Sequence, residues 1–428
     1  MHKSSCFFGF PMIAWYSMKE LKFSDKKVLD LIKKEEKRQQ EDINLIPSEN
    51  YVSKAVREAT ASVFTNKYSE GYPYKRYYAG NKWVDEIETL AIERAKKLFG
   101  VKFVNVQGYS GSPANLAIYF ALLNPGDPIT GLYLPHGGHL THGWDVNFSA
   151  KYYKPVQYTV DLKTERIDYE NLRKITKKHK PKMIWVGATA YPRIFEWEKF
   201  QKISKEIGAY LIADISHIAG LIIAGVHPSP VGIADVIMTT THKTLRGPRG
   251  AMIMTNDVDI AKKIDRAIFP GLQGGPHDHT TAAIAVALKE ASTPQFKKYG
   301  VQIVKNAKVL AETLSSGGLR LVSGGTDNHL ILIDLGTNGP TGKDISLALE
   351  ECGIITNKNT VPSETRKPFV TSGIRLGTPA VTTRGMKEKE MKKIGGLIVK
   401  VINNISNQKI YKEVKKEVLS LTSKFLVP

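Results

Sequence analysis

The sequence predicts an α/β protein: a large domain on a mainly parallel sheet, followed by a smaller C-terminal α+β domain. Three observations carry this. Short apolar, β-rich runs recur at 103–106, 183–186, 211–213, 236–239 and 252–254, with helical stretches between them. That alternation is the signature of parallel strands joined by crossover helices. The segment STPQFKKYG at 292–300 breaks the rhythm, and a different order of helices and strands follows it. The length, 428 residues, suits two or three domains.

Taken in order, residues 1–18 read as an extension outside the folded pattern. Their apolar run contains Pro11 and lacks a small-residue cleavage site, so it is not read as a signal peptide, and Met18 is a candidate start. Residues 19–60 form a helical arm. Within it, 24–40 has the spacing of an amphipathic helix with Val28, Leu29, Leu31 and Ile32 on the apolar side. Pro47 in NLIPSENY then stops any helix. Residues 61–295 make the large domain. It opens on a loop with five tyrosines in eleven residues, Tyr68, Tyr72, Tyr74, Tyr77 and Tyr78, a density that suits a site or interface better than a core. A helix over 84–98 follows. Residues 296–428 make the small domain, with helices near 301–315 and 343–352, strands near 320–322, 329–334, 353–356 and 372–376, and one closing helix.

Composition removes several classes. Hydrophobic residues are 42% and charged residues 24%, which suits a globular chain with a core and excludes disordered or collagen-like ones. Two cysteines, Cys6 and Cys352, leave no disulfide framework or cysteine-based zinc site, and a reducing, cytoplasmic setting is expected. No apolar run is long enough to span a membrane. The net charge is +20, and the segment from Met386 onward carries ten Lys against four Glu. These lysines alternate with Ile394, Leu397, Ile398, Val401 and Ile405, so they read as a solvated helix face rather than a nucleic-acid surface. A basic field also attracts small anions.

Four segments carry chemistry. In TTTHKTLRGPRG (239–250), Lys243 follows a strand and sits among small and polar residues, with His242 beside it. A partly buried lysine has a lowered pKa and can form a Schiff base. In LIADISHIAG (211–220), Asp214 ends a strand and so lies at the carboxyl edge of a parallel sheet, where ligands bind. A carboxylate there, paired with such a lysine, is what pyridoxal phosphate needs at its ring nitrogen; the competing reading of Asp214 is a helix cap. In GYSGSPAN (108–115), Ser112 is expected as the helix N-cap with Pro113 at the first helical position. The free N–H groups of that helix and the hydroxyls of Ser110 and Ser112 would cup a phosphate. In PHGGHLTHG (135–143), His136, His139 and His142 recur every third residue. A metal site is not adopted, because the diglycine opposes a helix and the segment itself holds no carboxylate. An imidazole stacked on a flat cofactor ring is the reading preferred.

With these segments in view, the sequence resembles the serine hydroxymethyltransferase family from about residue 44 to 385. The resemblance rests on NLIPSEN, TNKYSEGYPYKRYYAG, HGGHLTHG, VNFS, DISHIAGL, TTTHKTLRGPRG, FPGLQGGP, VSGGTDNHL, NKNTVP and FVTSGIRLGTPA. It implies the aspartate aminotransferase-like fold of fold-type I pyridoxal-phosphate enzymes, with a seven-stranded sheet, and a homodimer with shared active sites. It implies pyridoxal 5′-phosphate as cofactor and tetrahydrofolate as co-substrate. The activity implied is reversible transfer of the serine hydroxymethyl group, giving glycine and 5,10-methylenetetrahydrofolate. The runner-up is a pyridoxal-dependent threonine or β-hydroxy amino acid aldolase.

Residue by residue, the resemblance makes Lys243 the cofactor-linked lysine and Asp214 the partner of the ring nitrogen. His139 would stack on the ring and His217 support its O3′ side. Ser110, Gly111 and Ser112 would bind the phosphate, joined from the partner subunit by Tyr68, Gly274 and Gly275. Arg375 would take the substrate carboxylate, Ser48 and Tyr78 would orient the substrate, and Glu70 would be the acid–base group at the serine hydroxyl and the folate carbon. His242 and Thr189 complete the catalytic set. Leu134, Gly138, Leu140 and Asn359 match folate-contacting positions. No metal is implied. Three positions depart from the family pattern: Thr189 stands where Ser is common, Tyr109 where His is usual, and Pro113 where Gln is frequent.

Overall fold

The computed structural model describes residues 18–428. Of the expected extension, residues 1–17 lie outside the described part, Cys6 among them.

The central sheet has seven strands: β1 (Phe103–Gly108), β2 (Pro128–Thr130), β3 (Lys154–Pro155), β4 (Met183–Val186), β5 (Tyr210–Asp214), β6 (Val236–Thr240) and β7 (Ala251–Thr255). Their order is β1-β7-β6-β5-β4-β2-β3. Only β7 runs antiparallel to its neighbours. Side chains alternate between two apolar clusters. Ile184, Val186, Leu211 and Ala213 face one, and Met183, Trp185, Ile212 and Met238 face the other. With both faces covered, each strand reads as a continuous apolar run. Trp185 is fully buried, so its truncation to alanine would cost about 3–5 kcal/mol. The shared strand direction puts the carboxyl ends of β1, β2, β4, β5 and β6 on one edge, where open α/β sheets bind ligands.

A second sheet, antiparallel throughout, contains β8 (Arg320–Leu321), β9 (Leu330–Asp334), β10 (Asn357–Asn359) and β11 (Gly373–Gly377), in the order β8-β9-β11-β10. Ile331, Ile333, Ile374 and Leu376 pack there against Leu397, Ile398, Val414 and Val418. The last two pairs come from separate helices, Glu388–Ile402 and Gln408–Thr422, where the sequence reading expected one. Asn407 caps the second, accepting from the N–H groups of Lys409 and Ile410.

One expectation needs correction, and two are refined. The break at 292–300 is mostly helix. Thr293 caps a helix that runs over Pro294–Ser316, with proline in its first turn. Phe296 and Ile303 lie in the first core and Leu310 and Leu314 in the second, so this helix ties the two together. The N-terminal arm packs in two places. Ile43 and Leu45 are buried in the second core, and Ile43–Asn44 pairs in parallel with Ile354–Ile355. Val56 instead packs on Ala283 and Ala287. Finally, helix Lys26–Glu41 buries only Leu29 of its four apolar residues. Val28, Leu31 and Ile32 stay exposed, because no described residue covers that face. No described helix is long and apolar enough to cross a membrane.

The buried guanidinium of Arg384 fastens the arm. It donates to the carbonyls of Gln40 and Asp42 at 2.8 and 2.7 Å, and to those of Thr422 and Phe425 at 3.1 and 2.6 Å. Arg76 does the same for the tyrosine loop. It pairs with Asp85 at 2.8 Å and Glu88 at 2.6 Å while donating to the carbonyls of Ser69 and Gly71.

Candidate active site

The carboxyl edge of the central sheet collects most of the singled-out residues. Lys243 stands three residues beyond β6, in a turn whose carbonyl accepts from the Asn50 amide at 2.9 Å. Burial pushes its ammonium down to about 8, although Asp214 partly opposes that shift. Asp214 ends β5. Its Oδ2 accepts from Asn115 Nδ2 at 3.2 Å and lies 3.3 Å from His142 Nε2, and its Oδ1 accepts from Ser216 N. Burial raises the carboxyl, but His142, then His139 and Lys243, outweigh it and hold the group ionised. The carbonyl of Asp214 also crowds Gly187, where a Cβ would come within 2.5 Å.

His139 Nδ1 accepts from Thr141 N and lies 2.7 Å from its hydroxyl. Burial and the neighbouring His142 lower its pKa to about 3, so the ring is neutral. His142 is fully buried and stacks on Trp185, with ring centroids 4.9 Å apart. The sequence argument that no carboxylate is near these histidines fails in space. Donor atoms of His139, His142 and Asp214 lie within 4.8 Å of one another. His136 is not with them; its Nδ1 accepts from Val160 N.

The phosphate cup also differs from expectation. The helix spans Gly111–Leu122 and its N-cap is Ser110, not Ser112; Pro113 is its third residue. Ser110 is the residue with extended backbone, and Gly111 must lack a side chain because a Cβ there would sit 2.7 Å from Thr240 Cγ2. The first turn keeps free N–H groups at the sheet edge.

The second sheet contributes from β11. Arg375 is half-buried; desolvation lowers its guanidinium to about 10, and it stays a cation at neutral pH. Its Nη1 donates to the Thr189 carbonyl at 2.7 Å and its Nε to Asn357 Oδ1 at 3.0 Å. The Thr189 hydroxyl donates to the Gly138 carbonyl at 2.7 Å, which fixes the loop carrying Leu134 and Leu140. Asn359 closes β10 opposite Gly373. His242 and Ser48 line one groove together with Asn50 and Arg249. Burial lowers His242 to about 3. His217 is buried against His329.

A second group stands apart. Tyr68 donates to Glu70 Oε1 at 3.2 Å and meets the Tyr78 ring edge-on at 5.2 Å. A Cβ on Gly274 would lie 3.2 Å from Glu70, and one on Gly275 would lie 3.4 Å from the Tyr68 ring. Among the described residues, no hydrogen bond, ion pair or ring contact joins these five directly to Lys243, Asp214 or Arg375. Tyr109, next to Ser110, reaches this group: its hydroxyl donates to the Gly275 carbonyl at 2.7 Å.

Four atoms test whether this pocket suits a polar cofactor. Asn115 Oδ1, Thr240 Oγ1, His142 Nδ1 and His242 Nδ1 are buried without partners. With an ionised carboxylate, a lysine of lowered pKa and a free helix start on one edge, the donor set fits a phosphorylated pyridine aldehyde. Sequence reasoning did not single out Asn115, Asn357 or His329, although each lies within or beside a quoted motif.

A family model described as Serine hydroxymethyltransferase matches residues 21–398. The chain belongs to this family. It is also 57% identical over 411 residues to a serine hydroxymethyltransferase of Acidothermus cellulolyticus, covering 95% of this chain and 96% of that protein. Serine hydroxymethyltransferases are pyridoxal-phosphate-dependent transferases of fold type I. The activity is therefore transfer of the serine hydroxymethyl group to tetrahydrofolate, giving glycine and 5,10-methylenetetrahydrofolate, with pyridoxal 5′-phosphate as cofactor. The aldolase alternative is not favoured.

Proposed function

We propose that the pocket around Lys243 is the active site and that its residues divide the work as follows. Lys243 would hold the cofactor aldehyde through its amine, and Asp214 would face its ring nitrogen. When bound, the cofactor supplies an electron sink for bonds broken at the amino-acid α-carbon. His139 would stack on its ring and His217 would serve its O3′ side. Ser110, Gly111 and Ser112 hold the phosphate through N–H and hydroxyl donors. Arg375 grips the substrate carboxylate with its planar fork. Ser48 and Tyr78 orient the substrate. Thr189 holds Arg375 through its carbonyl, and His242, beside Lys243 in the chain, completes the catalytic set. Glu70 holds or moves the proton at the serine hydroxyl, and Leu134, Gly138, Leu140 and Asn359 receive the folate. What supports this most is the convergence on one sheet edge of the ionised Asp214, the depressed Lys243 and a free helix start.

The same reading divides the chain into an arm (19–60), a cofactor-binding unit (61–295) and a smaller unit (296–428), with the helix Pro294–Ser316 crossing the boundary. It makes the protein a cytoplasmic homodimer. Tyr68, Glu70, Tyr78, Gly274 and Gly275 form a partly exposed cluster that would complete the partner's site. Exposed Val28, Leu31, Val63 and Trp83 supply apolar surface for the contact.

The test is visible absorption. Adding pyridoxal 5′-phosphate should give a yellow band that Lys243→Ala lacks. A further band at longer wavelength should appear only when glycine and tetrahydrofolate are both present. No band in the unaltered protein would overturn the reading of the pocket.

A further inference from the structure

His217 meets one side chain that none of these roles uses. His329 is 1% exposed. Its Nε2 lies 3.2 Å from Nδ1 of His217, with the rings inclined by 26°. Its backbone is pinned on both sides. Asp327 N donates to the Pro192 carbonyl at 2.9 Å, Arg193 pairs with Asp327 at 2.8 Å, and Thr378 N donates to the His329 carbonyl at 3.1 Å. The ring therefore has no room to retreat from His217.

Both rings are neutral, because burial and the nearby Lys243 and Arg375 disfavour a further positive charge. Two neutral imidazoles in contact share one proton: one N–H donates and the other nitrogen accepts. Nδ1 of His329 decides the direction, since it is buried with no partner. A proton there would be an orphaned buried N–H, which is rarer in proteins than an orphaned acceptor. The proton belongs on Nε2 of His329, and Nδ1 of His217 is the acceptor. Nε2 of His217 then carries the other proton, and no described residue takes it.

We propose that His329 is a positioning residue: by donating Nε2–H to Nδ1 of His217, it fixes His217 in the Nε2–H form, so that a donor rather than a lone pair is offered to an oxygen of the ligand beside Lys243. The identity of that ligand rests on the proposed cofactor pocket. The tautomer does not.

The experiment is nitrogen NMR of cofactor-free protein with ring-15N histidine at neutral pH, with the His217 signals assigned by their loss in His217→Gln. The expected spectrum shows a protonated Nε2 and a bare Nδ1. A protonated Nδ1, alone or together with Nε2, overturns the proposal. His329→Leu should turn His217 into a mixture of tautomers, while His329→Gln, which keeps an N–H donor, should preserve the original form. Unchanged His139 signals confirm that both variants are folded. Pyridoxal 5′-phosphate should bind the Leu variant about tenfold more weakly than the wild type and the Gln variant nearly normally, as for other groups that orient a ligand-binding histidine. An unchanged tautomer in the Leu variant, or equal affinity in all three proteins, overturns the role. Failure of the wild type to bind the cofactor would instead overturn the pocket reading and leave the tautomer result standing.

Discussion

Arg375, on the second sheet, donates Nη1 to the carbonyl of Thr189, in the loop after a central strand, at 2.7 Å. This bond joins the two cores at the proposed substrate position. With Nε on Asn357, it fixes the plane of the guanidinium and leaves the rest of the fork for a ligand.

Arg375→Lys keeps the charge but loses that fork. The KM for serine should rise about 10- to 100-fold, the equivalent of one charge-assisted hydrogen bond of about 1.5–3 kcal/mol. Steady-state kinetics with serine would check this, and an unchanged KM would place the carboxylate elsewhere.

Lys243 makes stability depend on pH. Its folded value is about 8 against an ordinary 10.5. Between those values the unfolded chain binds a proton that the folded chain has released. The cofactor-free protein should therefore gain stability as pH rises through this window, and should carry the full cost of the buried charge below it. Denaturant unfolding near both ends of the window, repeated with Lys243→Met, reads this directly. Equal pH slopes in the two proteins would mean that the amine is not buried as described.

Gly111→Ala brings a methyl within 2.7 Å of Thr240 Cγ2 and should displace the helix start. Affinity for pyridoxal 5′-phosphate should fall at least tenfold, about 1.4 kcal/mol. Adding Thr240→Ser removes the clashing methyl, keeps the hydroxyl, and should restore most of the binding. If the double variant binds no better than the single one, close packing is not the reason for this glycine.

Shared sites predict complementation. Lys243→Ala and Glu70→Gln should each be inactive in folate-dependent serine cleavage. When the two are unfolded together and reassembled, about a quarter of wild-type activity should return, because half of random dimers are mixed and each mixed dimer has one intact site. No recovery would place Glu70 beside its own subunit's Lys243.

Local spacing made the strands and the site edge legible. The strand runs ending near Asp214 and before Lys243 are apolar because both sheet faces are covered, and a strand end in a parallel sheet is a ligand edge whatever surrounds it. The helix start at the phosphate cup was placed two residues late. Serine suits a cap at either 110 or 112, and only the approach of Thr240 to Gly111 chooses between them. The break expected at 292–300 failed for a related reason. Pro294 can open a helix as readily as end one, and the two cores at its ends decided the matter.

The sequence alone determined the chemistry available: a lysine, a carboxylate, an arginine and a serine-capped helix, each in a recognisable local pattern. The tertiary structure decided which of these meet. Asp214 reaches His142, seventy-two positions earlier in the chain, and His217 reaches His329 across the two cores. The arm at 43–45 enters the C-terminal core. Such contacts depend on side chains distant in sequence meeting in a low-dielectric interior, where a charge or a tautomer is set by whatever group lies opposite. No local pattern records that.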